Sequence, residues 1–397
     1  MKKTQLALAA VALVASSAAI SANVSISGNL DVAVARTSGY NGTGGMFLDQ
    51  GAYFDHQGIN FNVSEDLGSG LKAHGSLGAG FNANGASDNP GANRGANGVS
   101  PTSGAAGVMD NGLFNRQSYV GLSGEFGDVR LGRQLSPFIA AAAGNMHYVG
   151  MFGVGRLFMA GDENVVPGVA AGSTAGGFFR DDAIQYTTPS LSGFTGNLMT
   201  TMRNSTNNNN FIVDRGRYSA FSVSGPIGPI TVNAAYHAQR YTGAANAAAE
   251  YSGYAIGGMA PIADGLSLSA GMISTIAGSA AAGTNDQRTD SWNVGLGYDL
   301  SSSNKVLLNY ASSNRFQNAA NPEDSTLMNV MLVNSLSART KLYAAAGWGN
   351  RIGATIGTIG VAQTGAGVAA PNGPTLNAND ANATRNNAVV FGVAHSF

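Results

Sequence analysis

Five histidines, His56, His74, His147, His237 and His395, are the residues with most scope for proton or metal chemistry. None stand in the His-x-x-x-His spacing that sets two imidazoles on one helix face for zinc. The chain has no cysteine, which removes thiol nucleophiles and thiolate metal sites. A Ser-His-acid triad is a spatial arrangement, so spacing alone decides nothing about one. His237 falls on the polar parity of an alternating stretch and reads as a solvated wall residue rather than a base. The glycines from Gly150 to Gly155 lack the Lys-Ser/Thr that completes a phosphate-binding loop. Asp181, Asp182 and Asp286 read as solvated acids rather than calcium ligands. No enzyme activity, cofactor or resident metal is expected from this inventory.

The elements that carry these residues have a different signature. In the final nine residues Val389, Phe391, Val393 and Phe397 share one parity, while Gly392, Ala394 and Ser396 share the other. An apolar face opposite a small or polar one is a strand between two unlike solvents. Chain ends in water usually fray. A barrel in lipid must instead pair its last strand with its first, and a terminal aromatic suits the interfacial girdle. At the other end, Lys2 and Lys3 precede an apolar run from about Leu6 to Ala15 and small residues up to Ala22. Residues 1–22 therefore read as a secretory signal peptide, with residues 23–397 as the barrel. Removing two lysines leaves 19 basic against 22 acidic residues, a net charge of about −3. That balance argues against a nucleic-acid partner.

Composition agrees with this reading. Charged residues make up 11% of the chain, against roughly 25% in ordinary soluble domains, yet mean hydropathy is only +0.01. No stretch after residue 22 approaches the ~18 apolar residues of a spanning helix. Averaging an apolar outer face against a polar lumen gives this hydropathy.

Alternation and turn signals predict sixteen strands, at roughly 24–36, 58–66, 71–81, 116–125, 128–134, 180–188, 193–203, 217–225, 229–241, 251–261, 266–276, 290–299, 305–315, 325–335, 340–350 and 387–397. The connections alternate between tight turns and long Gly/Asn-rich loops, as in outer-membrane barrels with periplasmic turns. Trp292, Val294, Leu296 and Tyr298 would face lipid, with Ser291, Asn293, Gly295 and Gly297 toward the lumen. Val232, Ala234, Tyr236 and Ala238 would likewise oppose Asn233, Ala235, His237 and Gln239. Tyr241, Tyr298, Tyr310 and Trp348 stand near strand ends, where interfacial aromatics belong. The expected fold is all-β, a 16-stranded antiparallel transmembrane barrel with long extracellular loops.

Three blocks of sequence carry a family resemblance. Arg116-Gln117-Ser118-Tyr119-Val120-Gly121-Leu122 continues through Phe126-Gly127-Asp128-Val129-Arg130-Leu131-Gly132-Arg133-Gln134. The second block is Ser64 to Ala73, and the third is Phe391-Gly392-Val393-Ala394-His395-Ser396-Phe397. Together they resemble the Gram-negative general porins over the whole mature chain. The resemblance implies a trimeric, water-filled channel of the outer membrane, in contact with lipid and lipopolysaccharide. It would pass small hydrophilic solutes and ions passively. It also implies that the loop after the fifth wall strand, here about Leu135 to Phe179, folds inward as a constriction loop. That loop contributes Asp162 and Glu163, and its apolar stretch from Tyr148 to Phe158 suits packing inside the wall. Opposed basic residues would create a transverse field.

Arg133 occupies the family's arginine position, although the parity of Leu131 requires a bulge near Gly132 to turn it inward. Arg130 has the inward parity, and Arg116 and Arg180 flank the neighbouring strands. Two departures thin the basic wall. Gly58-Ile59-Asn60-Phe61 lacks an arginine that many relatives carry, and Gln185 replaces another. Phe391, His395 and Phe397 form the C-terminal barrel signature. Three other readings compete: a transporter, disfavoured because strands begin near Asn23 with no room for a plug; an adhesive or structural barrel using loops 82–115 and 351–386; and a substrate-preferring channel, which would want a lumenal aromatic ladder.

Overall fold

A computed structural model describes residues 23–38, 45–49, 58–80, 114, 116–147, 179–202, 214–242, 248–278, 287–316, 322–350 and 385–397. The first half comprises β1 (Asn23–Ser38), β2 (Gly45–Asp49), β3 (Gly58–Gly68), β4 (Leu71–Gly80), β5 (Ser118–Gly124), β6 (Gly127–Leu135), helix α1 (Pro137–Ala143), β7 (Phe179–Thr187), β8 (Thr195–Thr201) and β9 (Asp214–Ile227). The second comprises β10 (Ile230–Thr242), β11 (Ala248–Ala263), β12 (Leu266–Ala277), β13 (Gln287–Asp299), β14 (Asn304–Phe316), β15 (Pro322–Ser335), β16 (Thr340–Asn350) and β17 (Arg385–Ser396). Each predicted strand coincides with one of these. The short β2 was not anticipated. It pairs with Ala33 to Thr37 of β1, while β3 pairs with Asn23 to Asn29. The two segments thus share one wall position, and the sheet is a closed barrel of sixteen strands.

Closure is direct. β17 pairs antiparallel with β16 on one side and with β1 on the other, from Asn29 opposite Ser396 to Ser38 opposite Asn387. Among the described strands no backbone edge is left for lipid, where an unpaired group would cost several kcal/mol. Side chains stitch the same seam on both faces. The Phe397 ring lies over Gly28, whose N–H and carbonyl both pair with Phe397 at 3.0 and 2.9 Å. On the inner side the Tyr343 ring crosses Gly392, and its hydroxyl donates to the Asp31 carboxylate at 2.5 Å. Only a residue without a side chain leaves that path open.

Parity sorts the two faces as expected. Trp292, Val294, Leu296 and Tyr298 are exposed on the outer side, while Ser291 and Asn293 are buried on the inner one. Tyr298 and Trp348 are exposed outward, and Tyr310 packs against Trp292 with ring centroids 5.2 Å apart. The side chain of Tyr241 lies outside the described residues. Among the described residues no helix is long and apolar enough to cross a membrane; the strands form the wall. The inner face is not uniform. Leu307, Leu327, Met331, Val333 and Val390 on β14–β17 are buried, in one contiguous apolar cluster with α1.

Candidate pore-lining site

The loop after β6, the fifth wall strand, turns into the barrel. Ser136 caps α1, its hydroxyl accepting from the Phe138 N–H at 3.2 Å, and Pro137 fits the first turn because its missing N–H is not needed there. Four consecutive alanines favour helix, but seven residues cannot hold one in isolation. Packing holds it. Phe138 stacks face to face on His237 of β10, with ring centroids 3.8 Å apart and planes 2° apart. Tyr218 of β9 binds the Ser136 hydroxyl at 2.6 Å and His237 Nδ1 at 3.3 Å. His237 is therefore fully buried beneath the helix, not the solvated wall residue expected from its parity. Parity gave the side of the wall correctly, and the helix covering that side went unseen. The Ser136–Tyr218–His237 chain resembles a proton relay, yet its three members are buried in wall–helix packing.

Beyond α1 the chain runs across the inner wall. Asn233 of β10 donates to the Gly144 carbonyl at 3.1 Å and to Asn145 Oδ1 at 3.2 Å; Asn293 of β13 donates to the Asn145 carbonyl at 3.2 Å. The His147 N–H donates to the Ser269 hydroxyl at 3.3 Å, and its ring nitrogen meets the Ser267 carbonyl at 3.3 Å. Gly257 and Gly295 leave room for Asn145 and His147, since a side chain at either would press into them. Burial pushes the His147 imidazole below its ordinary value; its hydrogen bond to Ser267 opposes the shift and the Lys305 charge adds to it. These anchoring residues carried no sequence signal beyond small or amide residues on the inner parity.

The basic residues divide into separate environments. Arg130, on the inner parity of β6, has a third of its side chain exposed, 33%. Its Nε and Nη2 meet Asp128 Oδ2 at 2.8 and 2.6 Å, and its guanidinium carbon stands 5.1 Å from the Tyr119 ring centroid. Arg133 follows a bulge at Gly132, where φ is +128° and the β6–β7 register shifts. Its side chain is 11% exposed, ion-paired to Asp181 and 5.5 Å from the Phe179 ring. Arg180 is buried, donating to Gln239 at 3.0 Å over the Tyr218 ring at 3.8 Å. Arg116 is half-buried near Gly78, its N–H donating to the Gly78 carbonyl at 3.1 Å. Asp162, Glu163 and the Tyr148–Phe158 stretch lie outside the described residues, as do Asp286 and residues 1–22. At the seam, Phe391 is exposed outward and His395 Nδ1 meets the Thr340 hydroxyl at 2.9 Å. Among the described residues no three His, Cys, Asp or Glu side chains converge as a metal site.

A closed sixteen-strand wall with a loop tied to its inner face suits a channel, and comparison with known proteins decides the family. The Gram-negative porin family profile matches residues 7–354. The chain is a Gram-negative porin. It belongs in the outer membrane, where the family's barrels are channels for passive diffusion. No curated protein sequence matches the chain. Among solved structures, the anion-selective porin from Comamonas acidovorans is 21% identical, with a TM-score of 0.69 over 95% of this chain and 100% of that one. OmpT of Vibrio cholerae in its trimer form is 13% identical, with a TM-score of 0.62 over 95% and 100%. OmpF of Salmonella typhi, in complex with daunomycin, is 13% identical, with a TM-score of 0.59 over 94% and 97%. These likenesses establish the fold. Porins are channels rather than enzymes.

Proposed function

We propose that this porin is a homotrimeric, weakly charge-selective sieve for small hydrophilic solutes and ions, sitting among outer-membrane lipid and lipopolysaccharide. Arg130, Arg133, Arg116 and Arg180 supply its basic side, and Asp162 and Glu163 of the constriction loop supply the acidic side. The observation that carries this reading is the half-open Arg130 side chain on the inner wall of β6, together with the loop after β6 being tied to β10 and β13. Preorganised charge at a narrow point sorts ions by sign without any energy source. Among the described residues, the inner-wall tyrosines Tyr218, Tyr251 and Tyr343 are buried in packing and Tyr119 stands apart from them beside Arg130, which favours a sieve over a substrate-preferring channel. Neutralising Arg130→Gln and Arg133→Gln together should move the reversal potential of a salt gradient toward cations. Unchanged reversal potentials would remove both arginines from the pathway.

A further inference from the structure

We infer that Asp128 is a selectivity-determining residue of this channel, because it cancels the charge of Arg130 on the lumenal wall. The inference rests on Arg130 lining the aqueous pathway, as proposed above. Asp128 and Arg130 stand two apart on β6, so the pleat puts both on the inner face. One carboxylate oxygen of Asp128 accepts both Nε and Nη2 of Arg130, at 2.8 and 2.6 Å. The other oxygen meets His74 Nε2 at 2.8 Å. His74 reaches it from β4, two strands away, by lying across Gly121 of β5. A β-carbon there would come within 2.7 Å of the imidazole. Tyr119 closes the group, with its ring edge-on to His74 at 5.9 Å and facing Arg130 at 5.1 Å.

Among the described residues, the cross-strand neighbours of Arg130 and Asp128 add no unmatched charge to this cancellation. Arg130 lies opposite Gln185 on β7, a neutral side chain. Toward the turn, Asp66 and Lys72 are cross-strand partners of opposite sign. Among the described residues here, Arg130 is thus paired with a carboxylate and Lys72 has one across the strand. A matched pair presents a dipole, whose field dies away faster than that of the lone guanidinium. The wall from β4 to β6 therefore discriminates weakly between anions and cations, although it carries an arginine. His74 is a positioning residue here, fixing the carboxylate from the side away from Arg130.

The test is the reversal potential of purified protein in planar bilayers, under a potassium chloride gradient at fixed pH. Asp128→Asn should raise the anion-to-cation permeability ratio by about twofold or more, as expected for one unmasked charge within a Debye length. Arg130→Gln should lower it, and the double variant should return close to the unmodified channel. The absence of cysteine offers a second route that does not depend on Asp128→Asn inserting well. In Asp128→Cys, a negatively charged thiol reagent should restore the original selectivity and a positively charged one should drive it further toward anions. A shift on Arg130→Gln with none on Asp128→Asn or on Cys labelling overturns the inference alone. No shift on any of them overturns the placement of Arg130 in the pathway as well.

Discussion

His147 lies in the stretch that ties the loop after β6 to the wall, and among the described residues from Gly144 to His147 its imidazole is the one group that a change of pH can charge. Burial lowers its proton affinity in the docked state. The docked form therefore binds fewer protons than a freed loop, and docking strengthens as pH rises. Its full contribution is present above the ordinary imidazole value of 6.5 and is lost as pH falls through the lowered one. Amide exchange at Asn145 to His147, corrected for intrinsic rates, should speed up between pH 7.5 and pH 4.5. His147→Gln should flatten that dependence, since it keeps a donor for the Ser267 carbonyl and does not titrate. An equal pH dependence in the variant would rule the imidazole out as the cause. The sequence required a bulge at Gly132, and one is present, but the Asp181 and Phe179 contacts of Arg133 could not be read from spacing.

At the scale of elements, α1 depends on what it covers. Pro137, Phe138, Ile139, Ala141 and Ala142 are all buried, so its stability is that of its contacts with β9, β10 and β11. Phe138→Ala removes the ring stacked on His237, and truncating a buried Phe costs about 3–5 kcal/mol. The barrel wall would survive, because strand pairing does not pass through the helix. The expected result is an unchanged far-ultraviolet strand signal with faster protease cleavage between β6 and β7. Unchanged cleavage would mean that the helix is held by something other than this stack. The sixteen wall strands were legible, because an apolar lipid-facing side and an inner side rich in small and polar residues impose a two-residue rhythm on them. The helix was not. Its Ser136-Pro137 start is a capping signal, but a short run of apolar and alanine residues has no 3.6-residue period to set it apart. β2 escaped for a related reason: five residues, Gly45 to Asp49, are too few to show alternation.

At the scale of the molecule, the barrel is lopsided. Strands β9 to β13 carry α1 and the Gly144–His147 crossing, and β14 to β17 carry buried apolar side chains. The inner face of β4 to β6 carries His74, Tyr119, Asp128 and Arg130 in one polar group. Such sidedness depends on which strands meet across the lumen, and a linear pattern of parities does not specify that. For this reason the family, the strand count and the inward loop were readable from sequence, while the partners of each charge were not. Asp128 was visible in the motif yet gained its meaning only once His74 stood across Gly121 from it.

An open aqueous lumen can be measured by planar-bilayer recording of the purified, folded protein. Large conductance steps proportional to salt concentration, closing in thirds, are expected, with a reversal potential near zero in a salt gradient. Absence of conductance from a fully folded barrel would mean that the lumen is closed.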